Sequence, residues 1–217
     1  MIFLKNRIVF GRLKKLEFKL KNYALSDLLD EKSAIISRCR LIEKASLAIS
    51  SIPKTNFIFS KERLVYKQEF VRKENWTLIS LERKKTAVTN LAIDLDEMQN
   101  MGLVHGDMNS SNFIFDGNFL RVIDFEPSFK QVKNQRRILA SGLSFRSKND
   151  YKNNSITSET DKLGFYFFCE CHLTQGNELG YSREKFNARL TDSLEMRASE
   201  EELINMKFTD ILKLYSK

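Results

Sequence analysis

Val104-His105-Gly106-Asp107-Met108-Asn109-Ser110-Ser111-Asn112, followed after a short apolar stretch by Val122-Ile123-Asp124-Phe125, is the part of this chain from which the rest is read. It supplies an aspartate, an asparagine five residues later and a second aspartate twelve residues beyond that. This set suits phosphoryl transfer. One carboxylate orients an attacking hydroxyl, while an amide oxygen and another carboxylate hold magnesium on nucleotide phosphates. The flanks agree with the spacing. Phe113-Ile-Phe115 and Leu120-Arg-Val-Ile123 read as a short hairpin around Asp116-Gly117-Asn118, so Asp124 closes the second strand.

Outward from this stretch, the punctuation is sparse: two prolines and eight glycines in 217 residues. Strands are expected at Ile8–Phe10 and Leu16–Leu20, then a long helix over residues 24–50. Its apolar positions are Leu25, Leu28, Leu29, Ile35, Ile36, Leu41, Ile42, Leu47 and Ile49. Ser50-Ser-Ile-Pro53 breaks the chain before two further strands, Phe57–Phe59 and Leu64–Tyr66. A polar connector from Gln68 to Asn75 leads into a helix over 76–101, with Leu91, Leu95 and Met98 as its core-facing stripe and Met101-Gly102 as its end. Beyond the site stretch come a basic segment at 129–153 and helices near 160–172, 183–197 and 199–215. Ser199 and Glu202 form a capping box at the start of the last.

Composition narrows the class. No apolar run reaches the roughly 18 residues that span a bilayer, and Met1–Leu4 followed by Lys5 and Arg7 does not form a signal peptide. A cytosolic protein is expected. Cys39, Cys169 and Cys171 fit a reducing compartment as buried thiols; Cys169-Glu-Cys171-His172 lies in an apolar helical run where alternate residues face apart, which argues against a metal site. The net charge of +8 calls for an anionic partner, either a phosphorylated substrate or a membrane surface. Nucleic acid is not expected, since no nucleic-acid motif accompanies the charge.

At these residues the chain resembles the protein-kinase-like superfamily in its compact bacterial branches. His105-Gly-Asp107 through Asn112 matches the catalytic loop, Val122-Ile-Asp124-Phe125 the metal-binding segment, and Asp161-Lys-Leu-Gly164-Phe-Tyr-Phe the helix that anchors the loop from below. Over residues 91–170 it is similar to the lipopolysaccharide core heptose kinases, through Gly102-Leu-Val104, Asp107, Asn112-Phe-Ile-Phe115, Arg121-Val-Ile-Asp124, a basic stretch and Asp161-Lys-Leu-Gly164. The resemblance implies an α+β, two-lobed fold: a small β-rich N-lobe at 1–70, a mainly helical C-lobe at 71–217, and ATP between them. It makes Asp107 the catalytic aspartate and Asn112 and Asp124 the ligands of Mg²⁺. Lys19 would contact the nucleotide phosphates and Glu43 would pair with that lysine; Lys15 and Lys21 rival Lys19, and Glu31 rivals Glu43. Strand alternation puts the three lysines on one face, so spacing does not choose among them. His105 is structural in this superfamily, and the connector near Gln68-Glu69-Phe70 is the place expected to meet adenine.

The chain also departs from the pattern. Phe10-Gly11-Arg12-Leu13-Lys14 has a single glycine where a glycine-rich loop would cradle phosphate, so Arg12, Lys14 and Lys15 would neutralise charge by side chain instead. Glu126 replaces the glycine after Asp124-Phe125 and is a candidate second-metal ligand; no Ala-Pro-Glu follows. Lys130, Lys133, Arg136, Arg137, Arg146, Lys148 and Lys152, against Asp150 alone, suit an acceptor that is already anionic. The expected activity is ATP- and Mg²⁺-dependent phosphorylation of a sugar hydroxyl, with lipopolysaccharide core heptose as the specific version. The basic segment would touch the inner membrane face. The rival readings are a small RIO-type protein kinase or ATPase, an antibiotic or amino-alcohol kinase suggested by Ile123-Asp-Phe-Glu126, and a degenerate fold used for binding.

Overall fold

The computed structural model describes residues 9–13, 16–25, 31–125, 127, 147–153, 155–174 and 197–215, with side chains from residue 21 onward and Tyr151 excepted. Expectations on Lys14, Lys15, Glu126, most of the basic segment and the helix at 183–197 fall outside the described residues.

Four strands form one antiparallel sheet: β1 Val9–Leu13, β2 Leu16–Ala24, β3 Thr55–Phe59 and β4 Arg63–Glu69. Their spatial order is β1-β2-β4-β3. Alternation drives β3 and β4: Thr55, Phe57, Leu64, Tyr66 and Gln68 are buried while Asn56, Ile58, Lys67 and Glu69 are exposed. Phe57 and Tyr66 face each other across the ladder with ring centroids 5.1 Å apart.

Helix α1 runs from Lys32 to Ala48 and buries Ile35, Cys39, Ile42 and Ala45, a helical stripe laid against β3. It begins later than residue 24, because Asn22–Ala24 complete the pairing of β2 with Asn22↔Val65, Tyr23↔Leu64 and Ala24↔Arg63. Leu47, expected in the apolar face, is 81% exposed.

Helix α2, Leu81–Asn100, is preceded by a 3₁₀ turn at Trp76–Leu78 and starts at Ser80, whose Oγ accepts from Arg83 N–H at 3.3 Å. This cap is why the helix does not extend back to residue 76. Leu91, Leu95 and Met98 are buried as the periodicity predicts. Gly102 terminates it at φ 74°: Gly102 N–H donates to Gln99 O at 2.9 Å and Leu103 N–H to Met98 O at 2.9 Å. These two bonds, with Leu103 and Met98 both buried, make a Schellman stop whose left-handed residue favours glycine. The stop delivers the chain directly into the loop carrying Asp107.

After that loop and a 3₁₀ turn at Ser110–Asn112, β5 (Phe113–Phe115) and β6 (Leu120–Val122) form the expected hairpin, paired Phe113↔Val122 and Phe115↔Leu120. Asp116 Oδ1 closes its turn by accepting from Asn118 and Phe119 N–H at 3.0 and 2.8 Å. Four helices follow among the described residues: α3 Lys148–Asn153, α4 Ser158–Cys169 continued by a π-helical turn at Glu170–Thr174, α5 Glu200–Asn205 and α6 Phe208–Lys213. The helix expected over 199–215 is therefore two. Ser199 and Glu202 form the capping box of α5, but Met206 and Lys207 are extended. The second start is capped from elsewhere: Asp96 of α2 accepts from Phe208 N–H at 2.7 Å, Thr209 N–H at 3.3 Å and Thr209 Oγ at 2.7 Å. Cys39, Cys169 and Cys171 are buried thiols, as expected. No helix among the described residues is long and apolar enough to cross a membrane.

Gly164 of α4 lies beneath the loop. A Cβ there would meet Met108 Cβ at 2.5 Å and Met108 O at 2.8 Å. Alanine is intrinsically better than glycine in a helix interior by about 1 kcal/mol, yet overpacking of this kind costs about 1–3 kcal/mol. Gly164→Ala is therefore expected to lower the melting temperature; a raised one would show that helix and loop separate easily.

Candidate active site

The loop between α2 and β5 is closed in part by short-range bonds of its own. Asn109 Oδ1 accepts from Ser111 N–H at 2.9 Å, Asn112 N–H donates to Asn109 O at 3.0 Å, and Asn109 N–H donates to Asp107 O at 2.8 Å. Asn112 then reaches back. Its Nδ2 donates to both the carbonyl and the Oδ2 of Asp107, each at 2.9 Å. Both residues are buried, and the amide orientation fixes Asp107 while leaving Asn112 Oδ1 as the acceptor end of the group.

Asp124 follows β6 directly, and Ile123 N–H donates to Asn112 O at 2.9 Å, which joins the two halves of the site. Asp124 has φ 65°, and no other non-glycine among the described residues has positive φ. Aspartate tolerates this left-handed conformation better than most residues, and such strain concentrates at functional positions. Its Oδ1 lies 3.3 Å from the ammonium of Lys21, with both side chains largely enclosed at 25% and 17% exposure.

His105 connects the parts. Its Nδ1 accepts from Asp107 N–H at 3.1 Å, so the ring proton sits on Nε2, which donates to Ile123 O at 2.8 Å. Its ring packs edge-on against Phe125 at 4.6 Å. Burial lowers its pKa to about 4, so the imidazole is neutral near pH 7 and serves as structure, as expected. Beneath it, the Asp161 carboxylate accepts from His105 N–H at 2.6 Å and Gly106 N–H at 2.7 Å. Burial raises this carboxyl to about 7, opposed by those two donors and by the Arg38 charge.

Thus Asp107, Asn112, Asp124 and Lys21 are brought together. Lys21, one of the three lysines left open by strand alternation, pairs with Asp124; the side chains of Lys15 and Lys19 lie outside the described residues, and the backbone of Lys19 pairs with Gln68. Glu43 lies elsewhere: its Oε1 accepts from Phe57 N–H of β3 at 2.7 Å. Glu31 is the exposed N-cap residue of α1. In the connector, Gln68 is buried with Nε2 3.5 Å from Thr55 Oγ1, while Glu69 and Phe70 are exposed. Arg38 was not singled out in the sequence. Its Nη2 donates to Val104 O at 2.9 Å. The available signal was its place three residues after Ile35 and four before Ile42, on the inward face of α1.

The donor set fits magnesium. Asn112 Oδ1 and the Asp124 carboxylate are hard oxygen donors joined through the Ile123–Asn112 bond. Among the described residues no group of three or more His, Cys, Asp or Glu side chains forms an all-protein metal cage. Magnesium is ordinarily held by one or two carboxylates with phosphate and water completing its shell.

No protein-family model matches the sequence, and no curated protein matches it. In three dimensions the chain is similar to the kinase PK-1 of Cydia pomonella granulovirus, with a TM-score of 0.57 at 16% identity, over 94% of this chain and 72% of that one. The fold is protein-kinase-like. It is α+β, with a small antiparallel N-lobe and a helical C-lobe, as the sequence implies. The likeness carries the fold of the superfamily and does not single out the heptose kinases.

The histidine geometry is checked by titration. A base whose folded pKa is depressed from 6.5 to about 4 contributes stability above pH 6.5 that is lost as the pH falls through about 4. Asp161, raised from 3.8 to about 7, acts oppositely, its contribution being complete below 3.8 and lost as the pH rises through about 7. NMR of the His105 ring is expected to show the Nε2–H tautomer with no protonation between about pH 5.5 and 8; a midpoint near the ordinary value would contradict this burial.

Proposed function

We propose that this protein is an ATP- and Mg²⁺-dependent kinase that phosphorylates a hydroxyl of a sugar, in its most specific form a heptose of the lipopolysaccharide core. The observation that carries the reading is the convergence of Asp107, Asn112, Asp124 and Lys21, with Asp107 locked by Asn112 and Asp124 held at positive φ. A fold alone requires none of these side chains together.

Asp107 is the group that meets the acceptor. Its carboxylate, oriented by the Asn112 amide, accepts the hydroxyl hydrogen and aims the oxygen lone pair at the γ-phosphorus. The bond from acceptor oxygen to phosphorus forms as the bond to the ADP oxygen breaks. Asn112 Oδ1 and the Asp124 carboxylate would hold Mg²⁺, which when bound neutralises charge on the phosphates. Lys21 exchanges Asp124 for a phosphate oxygen. The work is positioning and electrostatics, the usual resources of this chemistry.

The sugar acceptor is supported by charge. Of the basic stretch from 129 to 153, Lys148 and Lys152 are exposed on α3. Asp150, its lone acid, is turned inward and accepts from Ser155 Oγ at 2.8 Å, Thr157 N–H at 2.9 Å and Thr160 Oγ at 2.6 Å. Lys148 lies 3.8 Å from Glu200, which leaves Lys152 as the outward base of α3; together with the basic composition of the stretch this favours a phosphorylated glycan, and contact with an anionic membrane face at roughly 1 kcal/mol per basic residue.

The test is ADP release from Mg-ATP with and without dephosphorylated lipopolysaccharide core. Stimulation by the core is expected, and Asp107→Asn and Asp124→Ala are each expected to reduce it by at least about a hundredfold with the fold retained by circular dichroism. Turnover that ignores the core yet is lost in both variants would move the assignment to a protein kinase or ATPase. Near-normal turnover in either variant would refute the site.

A further inference from the structure

We propose that Arg38 is a positioning residue for phosphoryl transfer, holding the Val104–His105 peptide plane of the catalytic loop from the N-lobe; this rests on the kinase reading above. The two ends of that one plane are held from opposite sides. Its carbonyl oxygen accepts from Arg38 Nη2 of α1 at 2.9 Å, and its N–H donates to Asp161 Oδ2 of α4 at 2.6 Å. The next N–H, of Gly106, donates to the other oxygen of the same carboxylate at 2.7 Å. A peptide dipole has its negative end at oxygen and its positive end at N–H. Here a guanidinium faces the first and the Asp161 carboxyl group the second, so the bond from Arg38 is charge-assisted and each bond polarises the other.

The plane stands immediately before the residues that matter. Its rotation would turn His105, whose ring holds both the Asp107 N–H and the Ile123 carbonyl preceding Asp124. Arg38 therefore acts on Asp107 through two bonded steps without touching the reacting atoms. Glu43, the carboxylate of α1 expected at the site, is spent on Phe57 N–H of the sheet, so it is Arg38 through which α1 reaches the loop.

Arg38 is not needed to keep α1 on the C-lobe. The turn after α1 is stitched there independently: Val122 N–H donates to Ser51 O at 2.7 Å, Ser51 N–H to Asp94 Oδ2 at 2.7 Å, and the Arg121 guanidinium to Ser50 O. Loss of Arg38 should leave the lobes docked and release the peptide plane.

The experiment follows Mg-ATP turnover, thermal melting and amide hydrogen exchange in the wild type, Arg38→Ala, Arg38→Lys and Asp124→Ala. Arg38→Ala is expected to lower kcat about tenfold with KM for ATP within about twofold, since small misplacements act on the transition state more than on binding. His105 and Gly106 amides are expected to exchange faster. Arg38→Lys, which keeps the charge and loses the planar fork, is expected to recover part of both. Arg38→Ala with wild-type kcat per folded molecule and unchanged exchange overturns the proposal, as does Arg38→Lys no better than alanine in both readouts. A wild type without turnover overturns the kinase reading instead, and this inference with it. That outcome is distinct from failure of Arg38 alone, in which the wild type turns over, Asp124→Ala does not, and Arg38→Ala does so at full rate.

Discussion

The carboxylate of Asp161, buried at the start of α4, is the constraint on which the site depends. It accepts two successive backbone N–H groups from a loop more than fifty residues earlier. Hydrogen bonds to charged groups contribute about 1.5–3 kcal/mol each, and here they oppose a desolvation strong enough to raise the carboxyl to about 7. From this point the order propagates. The anchored backbone sets His105, the His105 ring sets Asp107 N–H and Ile123 O, and Ile123 leads into the strained Asp124. Gly164, one turn along the same helix, lets Met108 approach where any side chain would intrude. Anchor and clearance come from one short stretch, Asp161-Lys-Leu-Gly164.

Around this buried centre the ion pair between sheet and loop is less firmly held. The Lys21–Asp124 pair joins a strand of the N-lobe to the residue after β6 and Ile123 with one contact of 3.3 Å. Partly exposed ion pairs contribute about 1 kcal/mol or less. Such a pair separates at small cost, whereas the network of Asp161, His105 and Asn112 is buried and costly to disturb. The division suits the proposed kinase, whose loop would stay in place while ligands enter and leave.

Much of this was legible along the chain. Asp107, Asn112 and Asp124 stand at a spacing that the hairpin β5–β6 closes into one site, because a short antiparallel pair returns the chain to where it left. The Leu91, Leu95, Met98 stripe, the Gly102 stop and the Ser199–Glu202 capping box were readable because each depends on neighbours within a turn or two. The misreadings had nonlocal causes. Helix α1 starts later than its apolar periodicity suggests because cross-strand pairing extends β2 to Ala24. The final helix splits because Asp96, on α2, caps a second start at Phe208.

The sequence by itself determined which polar groups stand close along the chain: a pair of aspartates and an asparagine in one loop-and-hairpin unit, an excess of basic residues, and an aspartate and glycine poised to anchor the loop. Periodicity and residue type carry such information because they act over a few residues. Tertiary structure alone decided which side chains from distant elements complete the site. Alternation along β2 does not say which partner a lysine of that strand meets; the pairing of Lys21 with Asp124 comes from where the sheet crosses the loop. Glu43 and Arg38 share one helix, and only its packing against β3 and the loop sends the acid to Phe57 and the base to Val104. Contacts between segments dozens of residues apart depend on how whole elements rotate and pack, and no local pattern encodes that geometry.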